Sequence, residues 1–247
     1  MKKFFALFLA VLMVFAIAAC AKEDPNAAAL VKSEGVMTYA EYDAAALDSQ
    51  VVIEGYIQGF QAYSEQYGNI SLYMQDPDGA YFVYRMACTA EDAAKMVKGA
   101  KVKVTGYKAA WSGEVEITDA TYEIMEGTWV AEATDVTALL GNEAELLKNQ
   151  NKYVTFKGMT VEAANDAGAA FLYKWDGSGQ DGDDLYFNVS LNGTTYSFTV
   201  ETDLCDASTE VYAAVKNLKV GDKIDLEGFL YWYEGINPHI TAVKAAQ

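Results

Sequence analysis

The sequence predicts an all-β protein with a few short helices, built as two homologous domains in tandem. Three glycines spaced seven residues apart occur twice along the chain, as Gly99, Gly106 and Gly113 and again as Gly221, Gly228 and Gly235. The surrounding residues also match, KGAKVKVTGYKAAWSGEVEIT against VGDKIDLEGFLYWYEGINPHIT. Such self-similarity indicates a duplicated unit. In strongly bent strands, glycines mark bulges, corners or close backbone approach, so the triplets also predict curved sheets.

The first copy shows the alternation of apolar and polar residues that is typical of strands. A short helix is predicted over 38–47, because Thr38 can cap it and Glu41 follows three residues later. The Pro-Gly turn at 76–79 joins two predicted strands. The remaining predicted elements are strands at 51–63, 69–75 and 80–86, a helix at 90–97 and a hairpin at 101–125.

The second copy repeats this order. Asn192-Gly193 marks a two-residue hairpin. The copy also carries 14 extra residues, since 33 residues separate Gly55 from Cys88 but 47 separate Gly158 from Cys205. We place the insertion around 175–184, as a flexible acidic loop. The predicted elements are helices at 135–149 and 210–218, strands at 153–162, 185–191 and 194–201, and a hairpin at 223–244.

Three strands, a helix and two more strands is the element order of the OB-fold, a five-stranded Greek-key barrel. Over about residues 38–244 the chain resembles this fold. As a whole it resembles the small lipid-anchored bacterial proteins that carry tandem OB-like domains. The resemblance implies two five-stranded barrels, at 36–127 and 128–247. It rests on element order and on the glycine triplets, and two unrelated sandwich domains are the alternative.

The first nineteen residues have the pattern of a signal peptide. Two lysines precede an uncharged apolar run that is too short to span a membrane. The run ends in Ile-Ala-Ala-Cys20, which resembles a bacterial lipobox; the resemblance implies cleavage before Cys20 and lipidation of its sulfur, and palmitate is among the expected acyl groups. An ordinary secretory signal with a chance cysteine is the alternative. We therefore expect a membrane-anchored protein on the extracytoplasmic face, with residues 20–35 as its tether.

The charge balance is strongly acidic. The whole chain carries −17, and removal of residues 1–19 takes away two lysines and no acids, which leaves −19. Nucleic-acid binders neutralise several phosphates with Lys and Arg. We therefore expect nucleic acid to be an unlikely partner, and single-stranded nucleic acid is a lesser alternative that follows from the fold alone.

Catalytic and redox signals are weak. Cys88 and Cys205 occupy equivalent places in the two copies, which favours buried packing thiols over a disulfide or a reactive site. His239 is the only histidine, so a typical zinc site cannot be assembled, and we expect this residue to lie in an exposed turn at the start of the last strand. Because no recognised nucleophile or phosphate-binding motif occurs, we expect the protein not to be an enzyme.

The candidate binding residues follow from the face that OB-folds use, the outer surface of strands two and three with the neighbouring loops. Alternation along this strand predicts that Phe82, Tyr84 and Met86 face inward, which turns Tyr81 and Arg85 outward; a slip of one residue would invert this assignment. Exposed aromatics suit stacking on sugar rings or on a partner's side chains, although the same rings could instead seal the barrels. The candidate residues are Tyr73, Tyr81, Arg85, Trp111, Tyr186, Trp232 and Tyr233.

The acidic insertion supplies a candidate cation site. The segment DGSGQDGDD contains Asp176, Asp181, Asp183 and Asp184, whose oxygens are ligands that calcium accepts. The spacing departs from that of a calcium loop, and a solvated loop is the alternative. From these residues the sequence predicts a lipid-anchored binding or assembly module for a glycan or an envelope protein. A calcium-responsive envelope protein is the second hypothesis, and no other cofactor is expected.

Overall fold

The computed structural model describes residues 25–246, and it contains two closed five-stranded barrels. This confirms the predicted fold class. The signal peptide at 1–19, Cys20 and the first part of the tether lie outside the described residues, so those predictions remain predictions. Within residues 25–246, no helix has both the length and the apolar character needed to cross a bilayer.

Barrel one closes in the order β1-β2-β3-β5-β4, with β3 parallel to β5 and the other neighbours antiparallel. The predicted capping box is confirmed, because Thr38 Oγ1 accepts from Glu41 N and the Glu41 carboxylate accepts from Thr38 N. Its elements are α1 (Pro25–Ala29), α2 (Tyr39–Ala44), β1 (Gln50–Phe60), β2 (Asn69–Gln75), β3 (Ala80–Ala87), α3 (Ala90–Ala93), β4 (Ala100–Trp111) and β5 (Glu114–Thr128).

Barrel two has the same connectivity. Strands β7 and β9 pair to close the ring, and β10 runs parallel to β12. Two short strands, β6 and β8, are added at the edges. The elements are β6 (Thr134–Asp135), α4 (Glu143–Leu147), β7 (Tyr153–Glu162), β8 (Leu172–Tyr173), β9 (Leu185–Leu191), β10 (Thr194–Val200), α5 (Glu210–Lys216), β11 (Lys223–Phe229) and β12 (His239–Ala245).

The middle glycine of each triplet has the role that its position predicts. Gly106 and Gly228 each sit at a register shift in the last hairpin of their barrel. A Cβ atom on Gly106 would lie 2.8 Å from Thr118 O, and one on Gly228 would lie 2.8 Å from Ile240 Cα. The strands therefore approach too closely at both points for any side chain.

Two predictions about elements are wrong. The helix predicted over 135–149 is instead β6, one turn of 3-10 helix at 137–139 and α4. The break has a local cause: Gly141 adopts a φ of +91°, and Asn142 then starts α4 by capping Glu145 N. In β3 the facing is inverted, with Tyr81 in the core of barrel one.

The error in β3 comes from a β-bulge. Arg85 has a φ of +46°, and the pairing of β2 with β3 shifts register nearby. Tyr81 and Val83 lie in the core, as strict alternation allows. Met86 is three residues after Val83 and would face outward by alternation, but the extra residue of the bulge turns it into the core as well. Alternation counted back from Met86 therefore assigns the wrong face to the first half of the strand.

The barrels are packed against each other. Tyr73, Phe82 and Phe229 form an apolar cluster between them, in which the Tyr73 and Phe229 rings stack with centroids 4.2 Å apart. A Cβ on Gly59 would lie 2.5 Å from Phe229 Cε2, so the glycine lets the ring of barrel two reach β1. Cys88 and Cys205 are free thiols, one half-buried and one buried.

Candidate functional site

A groove lined by aromatic rings and carboxylates lies at the junction of the two barrels. It has two lobes of about 590 and 720 Å³, which share the four residues Trp111, Glu201, Tyr231 and His239. Lobe one is further lined by residues of barrel one, among them Gln61, Tyr67, Tyr84 and Arg85. Lobe two is further lined by residues of barrel two, among them Trp175, Asp184, Tyr186, Tyr233 and Glu234. We call this site the inter-barrel groove.

Two tight turns bring two exposed rings together. Trp111 ends β4, and the turn that follows uses positive φ at Ser112 and Gly113. The connection between β11 and β12 carries Tyr233, and its neighbour Glu234 donates its N–H to Ser112 O at 2.7 Å. The Trp111 and Tyr233 rings, 54% and 44% exposed, lie with centroids 5.1 Å apart. They form an accessible aromatic surface in the groove.

Glu201 supplies a carboxylate at the part of the groove that both lobes share. Its Oε1 accepts from Gln61 Nε2 at 2.6 Å, and its Oε2 lies 3.3 Å from His239 Nδ1. Burial raises the pKa of Glu201, but the contacts with His239 and Gln61 outweigh burial and hold the pKa below its ordinary value. Glu201 is therefore ionised at neutral pH, although its side chain is only 19% exposed.

His239 connects the groove with the contact between the barrels. Its ring stacks on Tyr231 with centroids 4.2 Å apart, and its Nδ1 lies 2.8 Å from the hydroxyl of the buried Tyr73. The prediction that His239 lies in an exposed turn is wrong, since the residue is 8% exposed. It is the first residue of β12, and Tyr231 of its own barrel and Tyr73 of barrel one pack against it.

The groove is strongly acidic. Burial raises the pKa of Asp203, the charges of Glu201 and Asp184 raise it further, and the Arg85 guanidinium opposes them. Burial also raises the pKa of Glu116. Five carboxyl groups line the two lobes against one guanidinium, and they belong to Glu116, Asp184, Glu201, Asp203 and Glu234.

Four of the predicted binding residues line the groove and three do not. Trp111, Arg85, Tyr186 and Tyr233 contribute to its walls. The expected exposure is wrong for the other three residues, Tyr73, Tyr81 and Trp232, which are buried. Tyr73 is covered by barrel two, Tyr81 packs inside barrel one, and Trp232 packs in the core of barrel two.

The acidic loop does not form the predicted cation site. Its aspartates point to separate partners: Asp176 to Ser178 N, Asp181 to Lys216, Asp183 to Gln180 N, and Asp184 to Thr202. Across residues 25–246, no cluster of three or more Asp, Glu, His or Cys side chains is placed to hold a metal ion. The loop is held by internal hydrogen bonds and by two lysines, Lys174 and Lys216, instead, and this corrects the calcium hypothesis.

Sequence reasoning missed Glu201, Tyr231 and Trp175 as groove residues and assigned no function to His239. A compositional signal was present. The chain has one arginine and one histidine, and both line the groove. Two of its four tryptophans, Trp111 and Trp175, do so as well.

Comparison with known proteins gives similarity of fold only. No protein-family model matches the chain, and no curated protein matches it. A solved murine DNA-binding protein bound to double-stranded DNA aligns at 12% identity over 79% of this chain and 97% of its own, with a TM-score of 0.38. The Ifi202 HINa domain in complex with DNA aligns at 12% identity over 81% and 100%, with a TM-score of 0.34. A single-stranded DNA-binding protein from Thermus aquaticus aligns at 15% identity over 80% and 94%, with a TM-score of 0.26.

These structures contradict the partner and function predictions made from the sequence. We ranked a glycan, an envelope protein and calcium above nucleic acid, whereas the similar solved structures are DNA-binding proteins. That ranking was wrong. Since the likeness extends to the fold alone, the ligand of this chain has to be argued from its own groove.

Proposed function

We propose that the protein binds a small organic ammonium compound with an aromatic or other flat apolar body in the inter-barrel groove, without transforming it. The observation that carries the proposal is Glu201, an ionised and largely buried carboxylate beside the Tyr231 and His239 rings. Aromatic faces attract cations, by roughly 0.5–2 kcal/mol per contact. A carboxylate in a site of low dielectric adds directional binding of an ammonium group.

The exposed rings provide the place for the apolar body of the ligand. Trp111 and Tyr233 present adjacent faces within reach of Glu201, because all three residues line lobe two. A flat ring that stacks there gains dispersion and loses little entropy, since both protein side chains are already in contact. The site thus combines a fixed charge with an apolar surface, as small-molecule sites do.

Calorimetric titration of the purified protein with two matched compounds tests the proposal. Tryptamine carries an ammonium group, and indole-3-ethanol is its neutral counterpart. We expect tryptamine to bind at least about tenfold more tightly, which corresponds to about 1.4 kcal/mol. Equal binding of the two compounds, or binding of neither, would contradict the ammonium site.

Two variants and one control locate the site. Glu201→Gln should abolish the preference for tryptamine and leave indole-3-ethanol unchanged. Trp111→Ala, at an exposed position, should weaken the binding of both compounds. Glu123→Gln removes an exposed carboxylate on β5 that does not line the groove, and it should change the affinity for neither compound. If Glu123→Gln has the same effect as Glu201→Gln, the preference is a property of the net charge.

Single-stranded nucleic acid is a second candidate, and one observation of the groove favours it. The exposed Trp111 and Tyr233 rings could stack bases, with Arg85 in the same groove. Base stacking on aromatic side chains contributes about 1–3 kcal/mol per base. A labelled twelve-residue oligothymidylate, titrated at two salt concentrations, tests it. Binding that weakens with salt and with Trp111→Ala would favour nucleic acid over the ammonium ligand.

We also propose that Cys20 anchors the protein in a membrane, with residues 25–246 on the extracytoplasmic side. The support is the lipobox-like Ile-Ala-Ala-Cys20 after an apolar run. Stable anchoring takes more than one acyl chain, which a lipidated amino-terminal cysteine provides. Labelled palmitate should enter the full-length protein and not Cys20→Ala. Equal labelling of both proteins would overturn the assignment.

A further inference from the structure

Arg85 is the only arginine of this chain, and it is held in the inter-barrel groove by a strained backbone. Its φ is +46°, in the left-handed region, at the bulge of β3. Such a conformation is unfavourable for a residue other than glycine and persists only where the surrounding contacts hold it. Bulges re-aim side chains, and here the bulge lets Arg85 line lobe one while Met86 enters the core.

The surrounding contacts support this backbone and leave the guanidinium accessible. Arg85 N donates to Ser71 Oγ at 3.1 Å, which fixes the bulge. The guanidinium carbon lies 5.0 Å from the centroid of the Tyr84 ring, a cation–π contact that orients the planar group. Among residues 25–246, no carboxylate is within ion-pair distance of Arg85, although the chain carries a net charge of −17.

The single positively charged side chain of the groove lies in one lobe. Lobe two contains Asp184 and Glu234 and no guanidinium. Lobe one contains the single guanidinium together with Glu116 and Asp203, and burial raises the pKa of both of these carboxyl groups; Glu201 lies where the lobes meet. An ammonium compound alone would leave Arg85 without an anionic partner in the groove. A ligand that carries an anionic group as well would pair with both Glu201 and Arg85.

We propose that Arg85 binds the carboxylate of the ligand, so that the groove takes a zwitterionic amino carboxylate with an aromatic side chain. The shared chemistry belongs to a free aromatic amino acid and to a short peptide that begins with one. This inference rests on the proposed function for the ammonium end, at Glu201, and adds the carboxylate end. Arginine suits this role because its planar fork matches the two carboxylate oxygens.

Four indole compounds test the inference, because they form a complete cycle of charges: indole-3-ethanol, tryptamine, indole-3-propionate and L-tryptophan. In the unaltered protein, L-tryptophan should bind at least tenfold more tightly than tryptamine. Arg85→Gln should remove that advantage and leave tryptamine binding within twofold. Arg85→Lys should keep only part of the advantage of L-tryptophan, because an ammonium group cannot make the bidentate contact that a guanidinium makes with a carboxylate. The dipeptide Trp-Gly decides between the two sources of the ligand.

The outcomes separate this inference from the proposed function. If tryptamine binds but L-tryptophan gains nothing, or if Arg85→Gln weakens both equally, Arg85 does not bind a carboxylate and the inference is overturned. If tryptamine fails while indole-3-propionate binds and Arg85→Gln abolishes that binding, the ammonium site is wrong and the role of Arg85 holds. If L-tryptophan binds more tightly than Trp-Gly, the ligand is a free amino acid; the reverse order indicates a peptide.

Discussion

Glu114 joins the two barrels through a carboxyl group that is fully buried. Its Oε2 accepts from Trp232 N at 2.9 Å and from Gln150 Nε2 at 3.1 Å, both in barrel two. Burial raises the pKa of Glu114 to about 8, against those hydrogen bonds, and Glu116 raises it further. At neutral pH the folded protein therefore holds a proton on Glu114 that the unfolded chain has released.

This proton makes stability depend on pH. Between about pH 4.5 and about pH 8 the folded state binds more protons than the unfolded state, so the free energy of unfolding should fall as the pH rises. Each unit of difference in pKa corresponds to about 1.4 kcal/mol. Urea denaturation at pH 5, 6, 7 and 8 should show a steeper fall in the unaltered protein than in Glu114→Gln, whose amide does not titrate. Parallel pH profiles of the two proteins would contradict the role of Glu114.

At the scale of single residues, the sequence predicts which side chains point away from their own barrel better than it predicts which of them are exposed to solvent. Trp111 and Tyr233 were predicted to be exposed aromatic residues, and both are exposed, Trp111 at the end of β4 and Tyr233 in the connection between β11 and β12. Tyr73 points away from its own barrel, as alternation in β2 predicts, but Phe229 of the other barrel covers it. Alternation reports on one sheet and contains no information about what packs on the outside of that sheet.

At the scale of the strand, the middle glycine of each triplet allows two strands to approach closely. Gly106 and Gly228 occupy bulges where the partner strand leaves no room for a Cβ atom. Gly106→Ala and Gly228→Ala should each lower the free energy of unfolding by about 1–3 kcal/mol, as overpacking does. Gly55→Ala is the matched control on β1, since the nearest atom to its Cβ would be 3.6 Å away. Denaturant titration of the three variants checks this, and an equal cost at Gly55 would contradict the steric explanation.

Most elements could be predicted because local patterns determine them. The Thr38 capping box and the Asn192-Gly193 turn could each be predicted from residues that are three or fewer positions apart in the sequence. The errors have local causes as well, namely the bulge at Arg85 and the break at Gly141. Both are single positions of positive φ, and alternation or helical periodicity continues through such positions when it is counted on the sequence alone.

At the scale of the whole molecule, the groove exists only because the barrels are fixed to each other. Neither barrel alone contains both Trp111 and Glu201. The two barrels are held against each other by the apolar cluster of Tyr73, Phe82 and Phe229. No sequence pattern predicted this contact, since its residues come from distant strands and are apolar in the same way as core residues.

The packing predicts that the two barrels unfold as one cooperative unit. Phe229 is 2% exposed, although it lies outside the core of barrel two, so its burial comes from barrel one. Phe229→Ala should cost about 3–5 kcal/mol, as truncation of a buried aromatic does. Because that loss falls on the contact between the barrels, calorimetry should show the single unfolding transition divide into two. Val189→Ala, in the core of barrel two, is the control: it should lower the transition without dividing it. A single transition in Phe229→Ala would mean that the hydrogen bonds of Glu114, Gln150 and Asn151 are sufficient to couple the barrels.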